Sequence, residues 1–353
     1  MTLYDALAEL PLRIDSYTLE GRSRRISPEF ARLTTIVHLH GAGEEGLGED
    51  VTYGEREQRA QQEAGPILPL AGSWTLDSLS SHLDGLDLFG GAEPQMPAFR
   101  DYRRWAFESA AADLALRQAG RSLADVLGRE PAPINFVVSL RLGDPPSAEP
   151  VTRRLAAYPG LQFKLDYSPD WDDELLAELA ATGAVESIDF KGAYKGTVVD
   201  VETVPEVYRR CAETFPDAWL EDPDLSDPEA DAVLRPHRDR ITWDAPIHGV
   251  EDIEALPFEP RTINIKPSRI GTWMKLLRAY EWCAERGITN YGGGQSELGV
   301  GRGQIQYLAS IFHAAEANDI APPGYDWNDF PVTGLPANPL APDIEPTGFR
   351  RRS

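Results

Sequence analysis

The chain has few basic residues, few cysteines and no long apolar run. Against 57 aspartates and glutamates stand 34 lysines and arginines, a formal net charge of −23. That balance argues against a nucleic-acid backbone or an anionic membrane surface as a partner. It also makes the average carboxylate a solubilising surface group, so a functional one has to be argued from its position. The two cysteines, Cys211 and Cys283, lie in separate helix-like segments and are spaced for neither a zinc site nor a disulfide framework. They read as buried, reduced thiols of a cytoplasmic protein. No apolar stretch approaches the roughly 18 residues of a membrane-spanning helix. The opening MTLYDALAEL lacks the basic and apolar regions of a signal peptide, so the expected location is the cytoplasm.

With 353 residues, 42% of them hydrophobic, the chain is long enough and apolar enough for a large core or two domains. Residues 12–53 read as strands: LRIDSYTLEG is one, and TTIVHLHGAGEEGLGEDVTY reads as a hairpin turning at its glycines. EREQRAQQEA and YRRWAFESAAADLALRQAG have helical period, the second ending at Gly120, and SLADVLG adds a short helix. This makes an α+β region over residues 1–130.

From Ile134 the pattern changes. INFVVSLRL reads as a buried strand, and strand-like runs then alternate with helix-like ones. The strands fall at 161–166, 186–191, 218–222, 241–246, 263–268 and 290–297. Among the intervening helices are WDDELLAELAATG, VPEVYRRCAETF, GTWMKLLRAYEWCAERG and GRGQIQYLASIFHAAEAN. Such alternation gives a parallel sheet, and seven or eight βα units favour closure into a TIM-type (β/α) barrel over residues 131–328. The proline-rich segment 329–353 has no helical period and is expected to run back over the first domain.

Five consecutive strands begin apolar and end in charge: Lys164 and Asp166, Asp189 and Lys191, Glu221, Asp244, and Lys266. In a parallel barrel these ends share the face on which active sites are built. Residues two apart on a strand share a side, so Lys164 points with Asp166, and Asp189 with Lys191. Asp189, Glu221 and Asp244 would crowd like charge at one spot, which a divalent cation relieves. An all-oxygen ligand set with open positions suits Mg²⁺. A lysine beside a metal is a candidate base.

GAGEEGLGE, WAFESAAADLALRQAGRSLADVLG, WLEDP, INIKPSRIG and GQSELGVGRGQIQYLAS occur in that order. With them the chain resembles the enolase superfamily (mandelate racemase/muconate-lactonizing enzyme-like), on the branch of muconate-lactonizing enzyme and o-succinylbenzoate synthase. The similarity runs through nearly the whole chain. It implies that the first domain caps the barrel and that Asp189, Glu221 and Asp244 ligate Mg²⁺. It further implies that Lys266 is a base or a cation beside the reacting carbon, and that Lys164 faces the substrate carboxylate. The chemistry implied is removal of a proton α to a carboxylate of a small molecule, with the enediolate stabilised by metal and lysines. A homo-oligomer is also implied. Gln295 and Glu297 in the last motif, Gly293 just before it, and His248 after Asp244 are the substrate-binding candidates. The glycine run at 292–294 would let backbone approach a ligand.

Two departures bear on the reaction. The family's second strand carries Lys-x-Lys, and here the second lysine is Asp166. Where the family has asparagine two residues after the first metal ligand, this chain has Lys191. Either Asp166 and Lys191 pair across the pocket, or Lys191 takes over the missing base's role. A one-base reaction is easier to support with Lys266 alone, so a lyase of the dehydratase type or a cycloisomerase is expected ahead of a racemase or epimerase, which needs a base on each face of the carbon. Two further readings stay open. One is a catalytically inactive ligand-binding homologue. The other is a Schiff-base aldolase with Lys266 as nucleophile, which would leave the three carboxylates unexplained.

Overall fold

The computed structural model describes residues 2–26, 31–197 and 199–352. Its first part contains strands β1 (Pro11–Ile14), β2 (Ser16–Arg25), β3 (Ala31–Gly41), β4 (Glu44–Asp50) and β5 (Gly72–Thr75). The run LRIDSYTLEG, expected as one strand, is two. At Asp15 the chain leaves β1, which pairs antiparallel with β5, and enters β2, which pairs with β3. The Asp15 carboxylate holds that corner by accepting from Arg13 Nε at 2.7 Å and from the Ala42 N–H at 3.1 Å. The hairpin from β3 to β4 turns at Ala42 and Gly43, both with positive φ, the two-residue geometry that suits the twist of antiparallel strands.

The long helix Phe99–Gln118 is buried along most of its length and packs against β4. The contact is close because Gly46 and Gly48 carry no side chain. A Cβ at Gly46 would lie 2.2 Å from the Ala110 carbonyl oxygen, and one at Gly48 would lie 2.0 Å from that of Ala106. The alternation Gly-Leu-Gly-Glu thus turns glycine towards the helix and leaves Glu49 free to reach elsewhere.

The second part holds the parallel strands β6 (Val137–Leu140), β7 (Gln162–Asp166), β8 (Val185–Asp189), β9 (Trp219–Glu221), β10 (Ile241–Thr242), β11 (Thr262–Ile265) and β12 (Thr289–Gly292). Strands β6 to β10 form one sheet in sequence order, and β11 pairs with β12. Helices stand between successive strands, among them Asp173–Ala181, Pro205–Thr214 and Trp273–Arg286. This is the (β/α) barrel arrangement, with ladders thinned to single contacts at its seams. The Asn264 N–H donates to the Trp243 carbonyl at 3.0 Å between β10 and β11. Asn318 and Asp319 bridge β12 to the residue before β6, in place of a full eighth strand. Two expected elements are shorter than their sequence pattern. Strand 290–297 stops at Gly292, and the helix expected to residue 318 stops at Phe312. Among the described residues no helix is long and apolar enough to cross a membrane.

The tail touches both parts. Leu340 exchanges backbone bonds with Ile134, buried Phe349 packs edge-on against Trp273 and Tyr307, and Arg350 Nε lies 2.6 Å from Asp113.

The seam at Asn318 depends on a neutral histidine. Asn318 Oδ1 accepts from the Gly292 N–H at 2.7 Å and from His313 Nδ1 at 2.6 Å, while His313 Nε2 lies 3.0 Å from the Tyr280 hydroxyl. Burial pushes the His313 pKa down from 6.5 to about 4. Between those values the unfolded chain takes up a proton that the folded chain refuses. Stability is therefore intact above pH 6.5 and is lost as pH falls towards 4, by up to roughly 3 kcal/mol from this group. Denaturant unfolding at pH 7 and pH 4.5 should show a smaller acid-induced loss in His313→Gln than in the wild type. Equal losses would remove His313 as the cause.

Candidate active site

Register assembles the charge layer. Asp166 stands opposite Asp189 across β7 and β8, and Asp189 opposite Glu221 across β8 and β9. Their neighbours Leu165, Ile188 and Leu220 are fully buried on the other side of the strands, and this apolar packing forces the carboxylates inward. Three acids in one layer require compensation.

Lysines supply part of it. Lys164, buried, bonds to Glu221 and lies 3.3 Å from Asp189 and 3.2 Å from Asp319. Burial works against its ammonium, but the carboxylates outweigh that and hold its pKa well above the ordinary value. Lys191 sits just past β8 with φ 56°, a left-handed conformation that returns its side chain over the layer. Its Nζ bonds to Asp189 and lies 3.0 Å from Asp166. The two residues that depart from the family pattern therefore pair with each other. Burial would raise the Asp189 pKa, yet Lys191 and Lys164 together hold it below the carboxylate range. Glu221 goes the other way: burial and the neighbouring acids raise its pKa against the pull of Lys164. Its second oxygen accepts from the Tyr291 hydroxyl.

At the ends of β10 and β11, Lys266 Nζ lies 2.7 Å from Asp244 Oδ2, and Arg269 lies 2.6 Å from Asp244 Oδ1. Burial opposes ionisation of Asp244, but Arg269 and Lys266 keep its pKa well below the ordinary range. Asp222 has φ 47°, which swings it out of the strand alternation and back into the layer. Its two oxygens accept the N–H groups of Asp244 at 2.9 Å and Ala245 at 2.8 Å. Asp189, Glu221 and Asp222 each bring a carboxylate oxygen within 4.8 Å of the others. Asp244, expected as the third member, lies beside this trio with both oxygens on cations.

The residues present fit a divalent cation. Six carboxylates (Asp166, Asp189, Glu221, Asp222, Asp244 and Asp319) meet four cations (Lys164, Lys191, Lys266 and Arg269), the exposed Arg141 apart. Asp222 forms no ion pair among the described residues, and burial together with Asp244 and Asp189 pushes its carboxyl up to about 7. An all-oxygen, net-negative, buried set is the kind that holds Mg²⁺.

The other sequence candidates divide. Gly293 is needed for room, since a Cβ there would lie 2.5 Å from Lys266 Cε. Gln295 and Glu297 make no hydrogen bond or ion pair to the layer's carboxylates among the described residues. The Gln295 amide is held by Tyr53 at 3.1 Å and Tyr102 at 3.0 Å, and Glu297 lies 3.1 Å from Arg302. His248 is half-exposed, its N–H on Asp252 at 2.9 Å and its ring 3.9 Å from Asp101, with no contact to the carboxylates among the described residues. The sequence reading did not single out Asp222, Arg269, Tyr291 or Asp319. Period-two alternation from Tyr291 to Gly293, and the position of Asp222 inside WLEDP, were the available signals.

Two contacts dock the first part on the barrel mouth. Buried Glu49 accepts the N–H groups of Leu298 at 2.7 Å, Gly299 at 3.0 Å and Gly301 at 2.8 Å, at the start of the helix Val300–Phe312. Buried Arg32 donates to the carbonyls of Leu33, Val51 and Thr52 on its own side, and to those of Gln295 and Ser296 on the barrel side.

Residues 5–126 match the N-terminal domain, and residues 130–327 the C-terminal domain, of a family described as domain of unknown function (DUF8230). The chain is similar to an o-succinylbenzoate synthase from Geobacillus kaustophilus, 28% identical over 68% of this chain and 66% of that protein. That alignment spans just under two thirds of the relative's length. It is also similar to an N-succinylamino acid racemase from Thermus thermophilus, 27% identical over 92% of this chain and 86% of that one. A solved structure described as an unknown member of the enolase superfamily from Enterococcus faecalis V583 superposes with a TM-score of 0.62. It is 21% identical and covers 90% of this chain and 89% of that one. The enolase-superfamily resemblance read from the sequence is borne out, and with it the fold class. The chain belongs to the family described as domain of unknown function DUF8230, on the fold of the enolase superfamily.

Proposed function

We propose that this protein is a Mg²⁺-dependent enzyme that removes the proton α to a carboxylate of a small-molecule substrate. The observation that carries the reading is the convergence of Asp189, Glu221 and Asp222 in one buried layer, which Lys266 joins through Asp244. The metal ligands would be Asp189, Glu221 and Asp244, with Asp222 seating the main chain there by accepting the N–H groups of Asp244 and Ala245. Bound there, Mg²⁺ supplies positive charge that offsets the charge building on the substrate carboxylate as its proton leaves.

The chain's own residues divide the remaining work. Lys266 takes the proton, in the space that Gly293 leaves beside its side chain. Lys164 presents an ammonium to the substrate carboxylate. Lys191 is held between Asp166 and Asp189, and an ammonium in contact with two carboxylates keeps its proton. It acts as a fixed charge, which leaves one base. One base suits β-elimination or cycloisomerisation, so a lyase or cycloisomerase is the preferred reaction. Likeness to an N-succinylamino acid racemase over 92% of this chain favours a second reading, racemisation or epimerisation, in which Lys164 or Lys191 would have to serve the opposite face.

Calorimetry with Mg²⁺ tests the ligand set. The wild type should bind, Glu221→Gln should not, and Asp244→Asn should lose more affinity than Asp222→Asn. The reverse order of the last two would make Asp222 the third ligand. No binding to folded wild type would overturn the metal reading.

A panel of carboxylic acids in D₂O tests the base. Lys266→Met should slow deuterium incorporation at the α carbon by about 10²–10⁴-fold for any acid the wild type exchanges. Unchanged exchange would move the base elsewhere. Loss of optical activity on the same timescale as exchange would favour the racemase reading over the lyase.

A further inference from the structure

The first part of the chain holds a cavity of its own, of about 230 Å³. It is bounded by β2, the helix Glu55–Ala64, the loop through residues 87–92 and the long helix Phe99–Gln118. None of its lining residues belongs to the carboxylate layer. The space exists because the helix Glu55–Ala64 lines it with Ala60 and Ala64, one turn apart. A larger side chain at either position would occupy it. Ile67, which is exposed, also lines it, so the cavity communicates with solvent.

Rings and leucines give the wall its character. Buried Phe107 meets Tyr17 edge-on at 6.0 Å, and Leu19, Leu68 and Leu88 share the lining with them. Phe89 is fixed in place: the Arg103 guanidinium lies 3.9 Å from its ring centre and donates to the neighbouring Leu88 carbonyl at 3.0 Å. Asp87 pins the same loop by accepting the N–H groups of Phe89, at 2.9 Å, and Gly91. The wall is therefore formed before any ligand arrives. Its charged residues are already matched. Arg103 bonds Asp50 through Nε at 2.8 Å, Arg56 lies 3.0 Å from Glu57, and Asp87 is held by the loop. What is left over is neutral. Gln61 lines the cavity, and its Oε1 is buried with no donor among the described residues. A buried acceptor without a donor costs free energy until one reaches it.

We infer that this cavity binds a small, uncharged aromatic molecule carrying one N–H or O–H group, of the indole or phenol class, whose donor meets Gln61 Oε1. Volume sets the size. An apolar cavity of about 150 Å³ takes up a single benzene ring, and this one has room for a fused or substituted ring. The rings of Tyr17, Phe89 and Phe107 offer faces and edges for aromatic contact. The matched charges leave no counter-ion for an ionised ligand, and Gln61 selects a donor over an acceptor. The site is separate from the metal layer and does not depend on the reaction proposed there.

The test uses the full chain and calorimetric titration with two probes, indole and benzofuran. Benzofuran has the same shape but an ether oxygen where indole has its N–H. A hydrogen bond to a buried acceptor is worth about 3–10-fold in affinity. Indole should therefore bind the wild type about that much more tightly than benzofuran. Gln61→Leu should remove the difference by weakening indole alone. Ala64→Leu should abolish binding of both probes by filling the cavity, and Ala60→Leu should do the same from the preceding turn, with circular dichroism confirming that each variant is folded. No binding of indole to folded wild type would overturn the inference. So would equal affinity of the wild type for the two probes, or indole binding that survives both alanine substitutions. If Ala64→Leu splits an oligomer in sedimentation, the cavity belongs to a second copy of the chain, and the small-molecule site is overturned.

Discussion

Three acids in register on adjacent parallel strands set the terms for everything around them. Asp166, Asp189 and Glu221 cannot share one buried layer as bare carboxylates. The chain answers with lysines at positions 164, 191 and 266 and with Arg269, each in contact with at least one of the layer's acids. Even so the layer's acids outnumber its cations, and Asp222 is an acid left without an ion pair among the described residues. A protein of net charge −23 has no general supply of positive charge to draw on, so these four cations are placed by position, Lys164 on β7, Lys191 and Lys266 just past β8 and β11, and Arg269 in the short helix Pro267–Ile270.

The first part of the chain completes the mouth of the barrel by two devices of different kinds. Glu49 accepts N–H groups at the start of the helix Val300–Phe312, where the helix dipole favours a carboxylate. It reaches them because Gly46 and Gly48 let β4 lie close against the helix Phe99–Gln118. The motif Gly-Leu-Gly-Glu thus does two jobs that need each other: the glycines set a distance and the glutamate uses it. Gln295, which reads in sequence as a pocket residue, belongs to this docking too, through Tyr53 and Tyr102.

What the sequence made legible follows period and alternation. Lys164, Asp189, Glu221 and Lys266 stand where a strand ends and a buried face alternates with a polar one, and the fold class followed from the spacing of those strands. Asp222 escaped because alternation turns it away from Glu221, and only its positive φ turns it back. Gln295 and Glu297 fall outside strand alternation for a different reason, since β12 ends at Gly292 and the segment after it is not a strand. Asp319 lies beyond a helix that stops six residues before Asn318, at a seam made of isolated bridges with no strand-length pattern to mark it. The corner at Asp15 was missed for a related reason, since β1 and β2 share one hydropathy pattern and differ only in their partners.

Arg32 has a consequence of its own. It is buried and, among the described residues, its side chain makes five hydrogen bonds, all to main-chain carbonyl oxygens and none to a carboxylate. Dissolved ions weaken an attraction between opposite charges far more than a set of short bonds from a buried cation to fixed amide dipoles. The seating of the first part on the barrel is thereby uncoupled from ionic strength at this contact.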